Sequence, residues 1–558
     1  MGATFATHRV MAEHWYKNSV IYCLDVKTFA DGNGDGIGDF TGLTSHLEYL
    51  AGLHVDCIWL QPFFPSPMRD NGYDIVDYYN VDGRLGTLGD FVEFARSARE
   101  RGMRVMIDLV VNHTSVDHPW FQAARQDRNS PYRAYYVWCD EKPPDAHEGT
   151  VFPGKQHTTW TWDREAKSYY FHRFYDHQAE LNISSHAVRR EIQKITGFWL
   201  QLGVTGFRVD ALPFLIELKG LPGEGVDNPH EYLRELRQHV QTLRGDACLM
   251  AEANLLPEQV PDYFGDGDKI HMSFNFWVNQ HLFLALARRR AEPIVRAYAR
   301  LPPLPPWCQW NNFLRSHDEL DLGRLKKGEL QEVFAAFGPE PDMQLYGRGI
   351  RRRLAPMLGN DRRRIELAHS LMLTLPGSPV LRYGDEIGMG DDLSLPERES
   401  VRTPMQWNDG ANGGFSGAAP DQLSLPVIAQ GEFGFTKVNV EAQRRDPRSL
   451  LNWLERVIRR RKETPAFGLG SCTFIDTGRP QLLAHRCDLN GVTVFAVHNL
   501  GPRRVRFDLP VDETSQGRVH DILARREAEL QHDGHYRVDL EPYGYRWLRR
   551  DPAQPVHR

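Results

Sequence analysis

The sequence predicts an α/β protein: a (β/α)8 TIM barrel that carries a lobe inserted after its third strand and ends in an antiparallel β-sandwich domain. Three observations lead to this prediction. Short apolar runs alternate with helical patterns, eight such runs can be counted before residue 390, and short alternating segments with glycine and proline follow after residue 456. The predicted boundaries are 1–112 and 183–455 for the barrel, 113–182 for the lobe and 456–558 for the sandwich.

The first barrel units are predicted from the alternation of strand and helix. Residues 19–26, 54–62 and 104–111 are short runs rich in β-branched and aromatic residues, which is typical of buried strands. Helical patterns at 43–52 and 88–101 lie between them, and each closes with glycine at or just after its end. Strands that alternate with helices in this way indicate a parallel sheet with crossover helices.

The alternation stops after Asn112 and resumes with a helical pattern at 186–202, which indicates an inserted lobe. Five further strand candidates follow: 206–211, 248–253, 269–276, 309–317 and 377–386. A barrel of eight such units places its catalytic groups at the C-terminal ends of the strands and in the loops that follow. Residues 320–363 form a second interruption near the same mouth, and its basic clusters, Lys326-Lys327 and 351–353, can be interpreted as no more than a solvated face.

Composition and charge exclude several classes of partner. The 558 residues carry a formal net charge of -6, so no basic field for nucleic acid or anionic lipid is present, and no run is long enough to span a membrane. Seven cysteines without CxxC spacing are interpreted as reduced thiols rather than zinc or redox ligands. Because no secretory signal is visible, we expect a cytoplasmic protein, and a homo-oligomer stays open.

Three acids lie at or beyond predicted strand ends, and they are the catalytic candidates. Arg208 and Asp210 share one face of a strand, so Arg208 is expected to favour the charged form of Asp210, as a nucleophile needs. A plain ion pair is the alternative for an isolated Arg-x-Asp. Asp210 and Glu252 would form the carboxylate pair of glycosidic chemistry. Asp318 would orient hydroxyls and keep a proton on Glu252 by repulsion.

Residues that follow the second, third and seventh predicted strands suit a sugar site. Asp70 offers acceptors for hydroxyls, and Tyr73 offers a ring face, although a polar turn with Tyr73 packed on the core is the alternative. His113 and His317 would donate hydrogen bonds to hydroxyls. Zinc is not predicted, because no other histidine has convincing ligand spacing.

A glycine-rich acidic loop after the first strand is predicted to bind Ca²⁺. In the run from Asp31 to Asp39, oxygen ligands alternate with glycine, so the backbone can bring several oxygens to one hard cation. Gly42 stands where an EF-hand needs glutamate, and a metal-free Asx turn is the alternative.

Taken together, the motifs DGNGDGIGD, DNGYDI, DLVVNH, GFRVDA, AEA and SHDE resemble those of the α-amylase superfamily of retaining glycoside hydrolases and transglycosidases. The resemblance implies that Asp210 is the nucleophile, Glu252 the general acid/base and Asp318 the transition-state stabiliser. It further implies that the innermost glucosyl unit is held by Asp70, Tyr73, His113, Arg208, His317 and Arg402. The calcium ligands it implies are Asp31, Asn33, Asp35, Asp39 and the carbonyl of Ile37, and it implies no organic cofactor.

Within the superfamily the chain is most similar to the trehalose synthase branch, through residues 349–364, 383–392 and 401–407. This likeness implies interconversion of maltose and trehalose through a covalent glucosyl-enzyme. The alternative is an α-glucosidase or transglucosidase that acts on small α-glucosides. The three acids argue against an inactive barrel, and the lack of a Schiff-base lysine at a strand end argues against an aldolase-type barrel.

The chain departs from the pattern of that branch beside several of its motifs. Asn254-Leu255-Leu256-Pro257 follows the acid/base motif, Trp277 replaces an expected proline, and Ser316 replaces an expected asparagine. We expect several of these residues to lie around the acceptor glucose.

Overall fold

The structure, a computed structural model, describes residues 14–217, 228–511, 519–524, 526–528 and 535–550. Eight parallel strands close into a barrel, and each predicted strand candidate contains one of them. In chain order these strands are β1 Ile21–Leu24, β2 Cys57–Leu60, β3 Arg104–Leu109, β4 Gly206–Val209, β5 Cys248–Ala251, β6 Met272–Phe274, β7 Gln309–Phe313 and β8 Ser378–Arg382. The predicted barrel is therefore confirmed.

Nearly every residue of these strands is buried, because side chains on both faces are covered. Alternate residues such as Cys23, Trp59 and Met250 fill the barrel interior with an apolar cluster. Their neighbours, such as Tyr22 and Ile58, pack outward against the helices. The strands therefore read in the sequence as short continuous apolar runs.

The helices that follow the strands cover the outside of the barrel. Asp39 starts the first of them by accepting a hydrogen bond from the Gly42 backbone, and Thr87 starts the next with a capping box to Asp90. The predicted helix 43–52 is divided in two at His46. The covering helices are Phe40–Ser45, Leu47–Gly52, Leu88–Glu100, His186–Gln201, Glu231–Leu243, Val260–Phe264, Phe276–Arg288, Glu292–Arg300, Lys327–Phe337, Arg362–Thr374, Val440–Arg445 and Leu450–Lys462.

The inserted lobe lies between β3 and the helix that begins at His186. Its two ends pair with each other as antiparallel strands, and a three-stranded sheet and a helix form its outer part. The paired ends are His113–Ser115 and Gln178–Glu180, the sheet contains Trp138–Cys139, Trp160–Asp163 and Ser168–Phe171, and the helix is Pro119–Gln126. This stem fixes the lobe above the C-terminal ends of the barrel strands.

The second interruption forms a small sheet after β7, from Leu320–Asp321, Gln344–Leu345 and Gly349–Ile350. The interpretation as a solvated face is confirmed for Lys326 and Lys327, which are exposed, and is wrong for Arg351 and Arg353, which are buried. Arg353 is fully buried and donates to the Tyr383 carbonyl, and Arg351 donates to the carbonyls of Leu393 and Leu395. These side chains hold the long loop that follows β8.

The C-terminal region is antiparallel, as predicted. A six-stranded sheet packs through an apolar core that includes Phe495 and Leu509 against a two-stranded sheet. The six strands are Ser471–Ile475, Leu482–Leu489, Val492–Asn499, Val519–Asp521, Arg526–Ala528 and Tyr545–Arg550, and the other two are Val505–Pro510 and His535–Leu540. Among the described residues, no helix has the length and apolar character needed to cross a membrane.

Candidate active site

A cavity of about 420 Å³ opens where the loops after the barrel strands meet the inserted lobe. Its wall combines carboxylates with aromatic rings, the two kinds of group that bind hydroxyls and apolar sugar faces. The acids are Asp70, Asp210, Glu252, Asp318, Glu319 and Asp321, and the rings are Tyr73, Phe152, Phe174, Phe214 and Phe276.

Arg208 connects the two acids that the sequence singles out as a catalytic pair. Its guanidinium Nη1 lies 2.5 Å from Asp210 Oδ1, and its Nη2 lies 2.9 Å from Glu252 Oε2. Arg208 is only 2 % exposed, because it lies between the rings of Trp59 and Tyr73. One planar group therefore holds both carboxylates on the same side of the cavity.

The backbone also positions this pair. Asp210 directly follows β4, and Glu252 directly follows β5, which is hydrogen-bonded to β4. Ala211 takes a left-handed conformation with φ of 48°, and its N–H donates to Glu252 Oε2 over 3.0 Å. Such a conformation is unfavourable for alanine, so the surrounding structure imposes it at the point where the two acids meet.

Asp318 lies in the loop after β7, among cationic and imidazole groups. Arg402 Nη2 is 2.9 Å and Arg398 Nη1 is 3.1 Å from its Oδ1, while His317 Nε2 is 3.5 Å from its Oδ2. Burial opposes ionisation of Asp318, but Arg398, His317 and Arg402 outweigh it and hold the pKa of this carboxyl well below its usual range. Asp318 is therefore ionised throughout the neutral range.

Arg208 favours the charged form of Asp210, as expected, because its guanidinium lowers the pKa of that carboxyl. Burial raises the pKa of Asp210 well above the ordinary aspartate value, and Arg208 offsets only part of that effect. The carboxylates Glu252, Asp108 and Asp318 raise the pKa further by repulsion. The net direction of the pKa shift is set by burial and the three neighbouring acids, which the motif does not show.

Tyr73 links the floor of the cavity to β3 and β7. Its hydroxyl donates to Asp108 Oδ2 over 2.8 Å and lies 2.7 Å from His317 Nε2, and its ring stacks on the His317 ring. Trp59 Nε1 donates to the other oxygen of Asp108 over 2.9 Å. Burial raises the pKa of Asp108 to about 6, with Arg208 opposing the shift. Tyr73 is thus part of the polar network as well as of the wall.

Asp70 and His113 meet on the side of the inserted lobe. Gln178 donates to Asp70 Oδ2 over 2.8 Å, and His113 Nε2 lies 3.0 Å from the Tyr73 carbonyl. Burial lowers the pKa of His113 to about 4, so the ring is neutral at neutral pH and its Nε2–H donates to that carbonyl. The pairing of the two lobe ends brings Gln178 beside His113.

The structure brings together all nine predicted catalytic and substrate-binding residues, some in the wall of the cavity and some behind it. Six line the cavity: Asp70, Tyr73, His113, Asp210, Glu252 and Asp318. The other three lie behind that wall and bond residues that form it. Arg208 bonds Asp210, Arg402 bonds Asp318 and His317 bonds Tyr73.

The comparison with known families settles where this arrangement belongs. Residues 23–319 and 350–470 match the family described as "Alpha amylase, catalytic domain". The chain belongs to the α-amylase family. This confirms the resemblance inferred from the motifs. A second match, described as "Sucrose hydrolase-like, C-terminal domain", covers residues 491–549 of this α-amylase family member.

Relatives within the α-amylase family extend over nearly the whole chain. Trehalose synthase from Pimelobacter sp. (strain R48) is 41% identical over 551 residues, which cover 96% of this chain and 96% of that protein. Trehalose synthase from Thermus thermophilus is 43% identical over 546 residues, which cover 97% of this chain but 56% of that protein. The solved trehalulose synthase from Pseudomonas mesoacidophila MX-45 is 27% identical, with a TM-score of 0.77 and coverage of 96% and 99%.

Arg398 is a site residue that the motifs of the α-amylase family did not indicate. It lines the cavity, lies 3.1 Å from Asp318 and 2.7 Å from Glu319, and its guanidinium lies over the Phe152 and Tyr346 rings. In the sequence, only its position four residues before Arg402 indicates that Arg398 belongs to the site. A spacing of one helical turn within a loop is weak evidence for this.

Some of the residues that differ from the expected branch pattern line the cavity, and others pack elsewhere in the core. Asn254 and Ser316 line the cavity. Leu255 is buried in the main core, and Leu256 and Trp277 pack in a separate apolar cluster. Asn254 and Ser316 can therefore contact a sugar in the cavity, whereas Leu255, Leu256 and Trp277 are not among the residues that line it.

Proposed function

We propose that the protein interconverts maltose and trehalose as an intramolecular glucosyltransferase that forms a covalent glucosyl-enzyme. The observation that carries this proposal is the pair Asp210 and Glu252, held by one Arg208 in a cavity that the inserted lobe covers. Retaining glycosidases place their two carboxyl groups closer together than inverting ones, which need room for a water. The names of the trehalose synthase relatives support trehalose as one of the two disaccharides, and the motif resemblance implies maltose as the other.

In the first step, Glu252 gives its proton to the oxygen of the glycosidic bond while Asp210 attacks the anomeric carbon. The bond to the second glucose breaks with its electron pair on the protonated oxygen, and an ester to Asp210 forms. Asp210 must be ionised to attack. Burial raises the pKa of Asp210, and the Arg208 ion pair offsets part of that shift and so favours the ionised form.

The remaining predicted residues bind and position the glucosyl unit. Asp318 is ionised and half-covered by Arg398 and Arg402, so its carboxylate accepts bonds from two sugar hydroxyls and stabilises the positive charge that develops on the ring. Asp70 and His113 would contact hydroxyls from the lobe side, and Tyr73 would stack on the sugar. Arg208, His317 and Arg402 would act mainly by orienting the acids.

In the second step, the freed glucose turns within the cavity and presents its anomeric hydroxyl to the ester. Glu252 takes the proton of that hydroxyl, the new oxygen attacks the anomeric carbon, and the bond to Asp210 breaks. Glu252 is then ready to act as an acid again. Two inversions at the donor carbon retain its α configuration, and the product is trehalose.

A set of contacts across the mouth of the cavity favours retention of the freed glucose. The Phe152 ring of the inserted lobe packs on Tyr175 and on Tyr346 of the second interruption. The hydroxyls of both tyrosines donate to Glu397 Oε2, over 3.0 and 3.1 Å. Lys155 pairs with the other oxygen of Glu397. We call these five residues the mouth latch, and it ties three separate loops together over the site.

Product analysis tests the proposed function directly. Purified protein incubated with maltose should form trehalose, and trehalose should yield maltose, with glucose as a minor product, since the latch keeps water out. Both disaccharides and glucose are followed by chromatography over time. If glucose or longer oligosaccharides accumulate while trehalose stays absent, the protein is an α-glucosidase or transglucosidase and the proposal is wrong.

The latch itself is tested by Glu397→Gln, which keeps a hydrogen-bond acceptor but removes the charge that Lys155 contacts. We expect the ratio of glucose to trehalose to rise several-fold. Asp392→Asn is the matched control, because this acid lies in the same loop and bonds Ser394 rather than the latch. An unchanged ratio in Glu397→Gln would show that the latch does not control water access.

We further propose that the loop from Asp31 to Asp39 binds Ca²⁺ as a structural ion. The ligands would be the side-chain oxygens of Asp31, Asn33, Asp35 and Asp39 and the carbonyl of Ile37, all of them hard donors that suit this ion. Asp31, Asp35 and Asp39 also accept hydrogen bonds from backbone N–H groups of the loop itself, so the loop has metal-free support as well. The oxygens of these three carboxylates do not all lie within 4.8 Å of one another in the structure, so the ion would draw them together and replace some of those bonds.

Calcium binding is measured by calorimetric titration of protein stripped with EGTA and by thermal unfolding with and without the ion. We expect one ion per chain and a rise of a few degrees in the midpoint, because binding to the folded state alone stabilises it. Asp35→Ala, at an exposed position, should weaken binding at least about 10-fold. Asp409→Asn, another exposed acid, should not. Equal affinity in both variants would contradict the proposal.

A further inference from the structure

Two cysteines and a histidine meet in the C-terminal sheet, far along the chain from the catalytic acids. Cys472 and Cys487 stand directly opposite each other on the antiparallel strands Ser471–Ile475 and Leu482–Leu489. His485 precedes Cys487 by two residues, so both side chains share one face. One ligand atom from each of the three residues lies within 4.8 Å of the other two. Among the described residues this is the one such group of histidine, cysteine or carboxylate side chains.

His485 has the hydrogen-bonding pattern of a metal-binding imidazole. It is fully buried, and its Nε2 lies 2.9 Å from the Thr374 carbonyl, to which it donates. That bond fixes the tautomer and leaves the Nδ1 lone pair without a hydrogen-bond partner in a buried position. Metal-binding histidines usually donate their other N–H to a carbonyl or carboxylate in this way.

The surroundings favour a soft or borderline cation over a hard one. Both thiols are free, with Cys487 buried and Cys472 half-buried. The rings of Phe474 and Phe467 lie 5.7 and 6.4 Å from the His485 ring, so the pocket is apolar. Such a pocket disfavours two isolated thiolates, whereas two thiolates and one divalent cation are neutral together.

We propose that Cys472, His485 and Cys487 form a structural site for Zn²⁺ or a similar thiophilic divalent ion. Thiolate and imidazole are the ligands that Zn²⁺ prefers, and tetrahedral geometry with Zn–S bonds of about 2.3 Å needs sulfurs about 3.8 Å apart. The three ligand atoms already lie within 4.8 Å of one another, and rotation about the cysteine χ1 angles would adjust the sulfurs to this separation. Each thiol loses its proton on binding, and a water takes the fourth position on the half-buried side of Cys472.

The location assigns a stabilising role to the site. Thr374 is the last residue of the barrel helix Arg362–Thr374, so His485 already connects the sandwich to the barrel. A metal bound to His485 and both cysteines would join this contact to two neighbouring strands. Because none of the three residues lines the sugar cavity, the ion would affect the free energy of unfolding and leave turnover unchanged.

The test uses the full chain, reduced and stripped with EDTA, and Zn²⁺ alone as the probe. Affinity is measured by competition with a chromophoric chelator, and stoichiometry by elemental analysis after desalting. We expect one Zn²⁺ per chain in the wild type, at least about 100-fold weaker binding in Cys472→Ser and His485→Gln, and no change in Cys139→Ser, a half-buried cysteine of the inserted lobe. Co²⁺ should show a thiolate-to-metal charge-transfer band that Cys472→Ser lacks.

Glutamine at position 485 keeps a donor for the Thr374 carbonyl, and maltose turnover verifies that each variant is folded. Zinc should raise the midpoint of thermal unfolding in the wild type and in Cys139→Ser, and leave it unchanged in Cys472→Ser. The proposal is overturned if the reduced chain binds no Zn²⁺, or if Cys472→Ser binds it as tightly as the wild type. Detection of a Cys472–Cys487 disulfide by mass spectrometry in the freshly isolated chain would also overturn it, and would assign a redox role instead.

Discussion

Asp210→Asn is expected to lower the turnover of maltose at least about 10⁴-fold, because it removes the nucleophile and a water cannot replace it in a buried position. The fold should survive. Arg208 retains Glu252 at 2.9 Å and Asp108 at 3.4 Å, so its charge stays paired. Turnover is measured by disaccharide formation, and folding by circular dichroism and thermal unfolding.

The matched control is Asp117→Asn, an acid of the inserted lobe that pairs with Arg69 on the surface. It should keep nearly full activity, since surface ion pairs contribute little. If Asp210→Asn turns over maltose at the wild-type rate while folded, Asp210 is not the nucleophile. A trapped glucosyl ester on Asp210, found by peptide mass spectrometry in the wild type, would identify it independently.

Glu252→Gln should slow maltose turnover by about 10² to 10⁴-fold, the usual contribution of a positioned proton donor. The loss should depend on the leaving group. Formation of the glucosyl-enzyme from α-glucosyl fluoride needs no protonation by Glu252, so it should stay near the wild-type rate. Transfer to glucose should then be slow, because the base is missing, and the glucosyl-enzyme should accumulate. Rapid-quench mass spectrometry measures both steps.

Glu319→Gln is the comparison for this second variant, because Glu319 also lines the cavity but pairs with Arg398 rather than Arg208. It should lower turnover of both substrates by a similar factor, since it acts on binding rather than on proton transfer. An equal loss with maltose and with the fluoride in Glu252→Gln would mean that Glu252 is not the general acid.

Much of the architecture was predictable from local pattern. The short apolar runs at β1, β2 and β3 are buried on both faces, so they appear in the sequence as continuous hydrophobic segments. The helix expected over 43–52 was divided by a break at His46 that propensity does not show. The pattern does not show that the arginines at 351 and 353 are buried, because they donate to carbonyls 30 or more residues away.

The candidate site was predictable to the level of residue identity. Asp210 and Glu252 directly follow β4 and β5, and in a parallel barrel that placement brings them to the same mouth. The motifs do not show which side chains reach the cavity. Arg208 and Arg402 lie behind the acids, whereas Arg398, which no motif indicated, lies in the wall.

The sequence by itself determined the barrel, the antiparallel C-terminal region and the three acids. These depend on the period of the hydrophobic pattern, on turn residues and on position relative to a strand end, all of which are local properties of the chain. Only the tertiary structure decided the direction of the Asp210 pKa shift, the hydrogen bond between Tyr175 and Glu397 and the meeting of Cys472, His485 and Cys487. Each of these depends on burial, or on residues that are distant in the sequence and lie close together in the fold. Spacing along the sequence does not show that proximity. The two cysteines therefore lie beside one imidazole although their spacing is not that of a metal-binding motif.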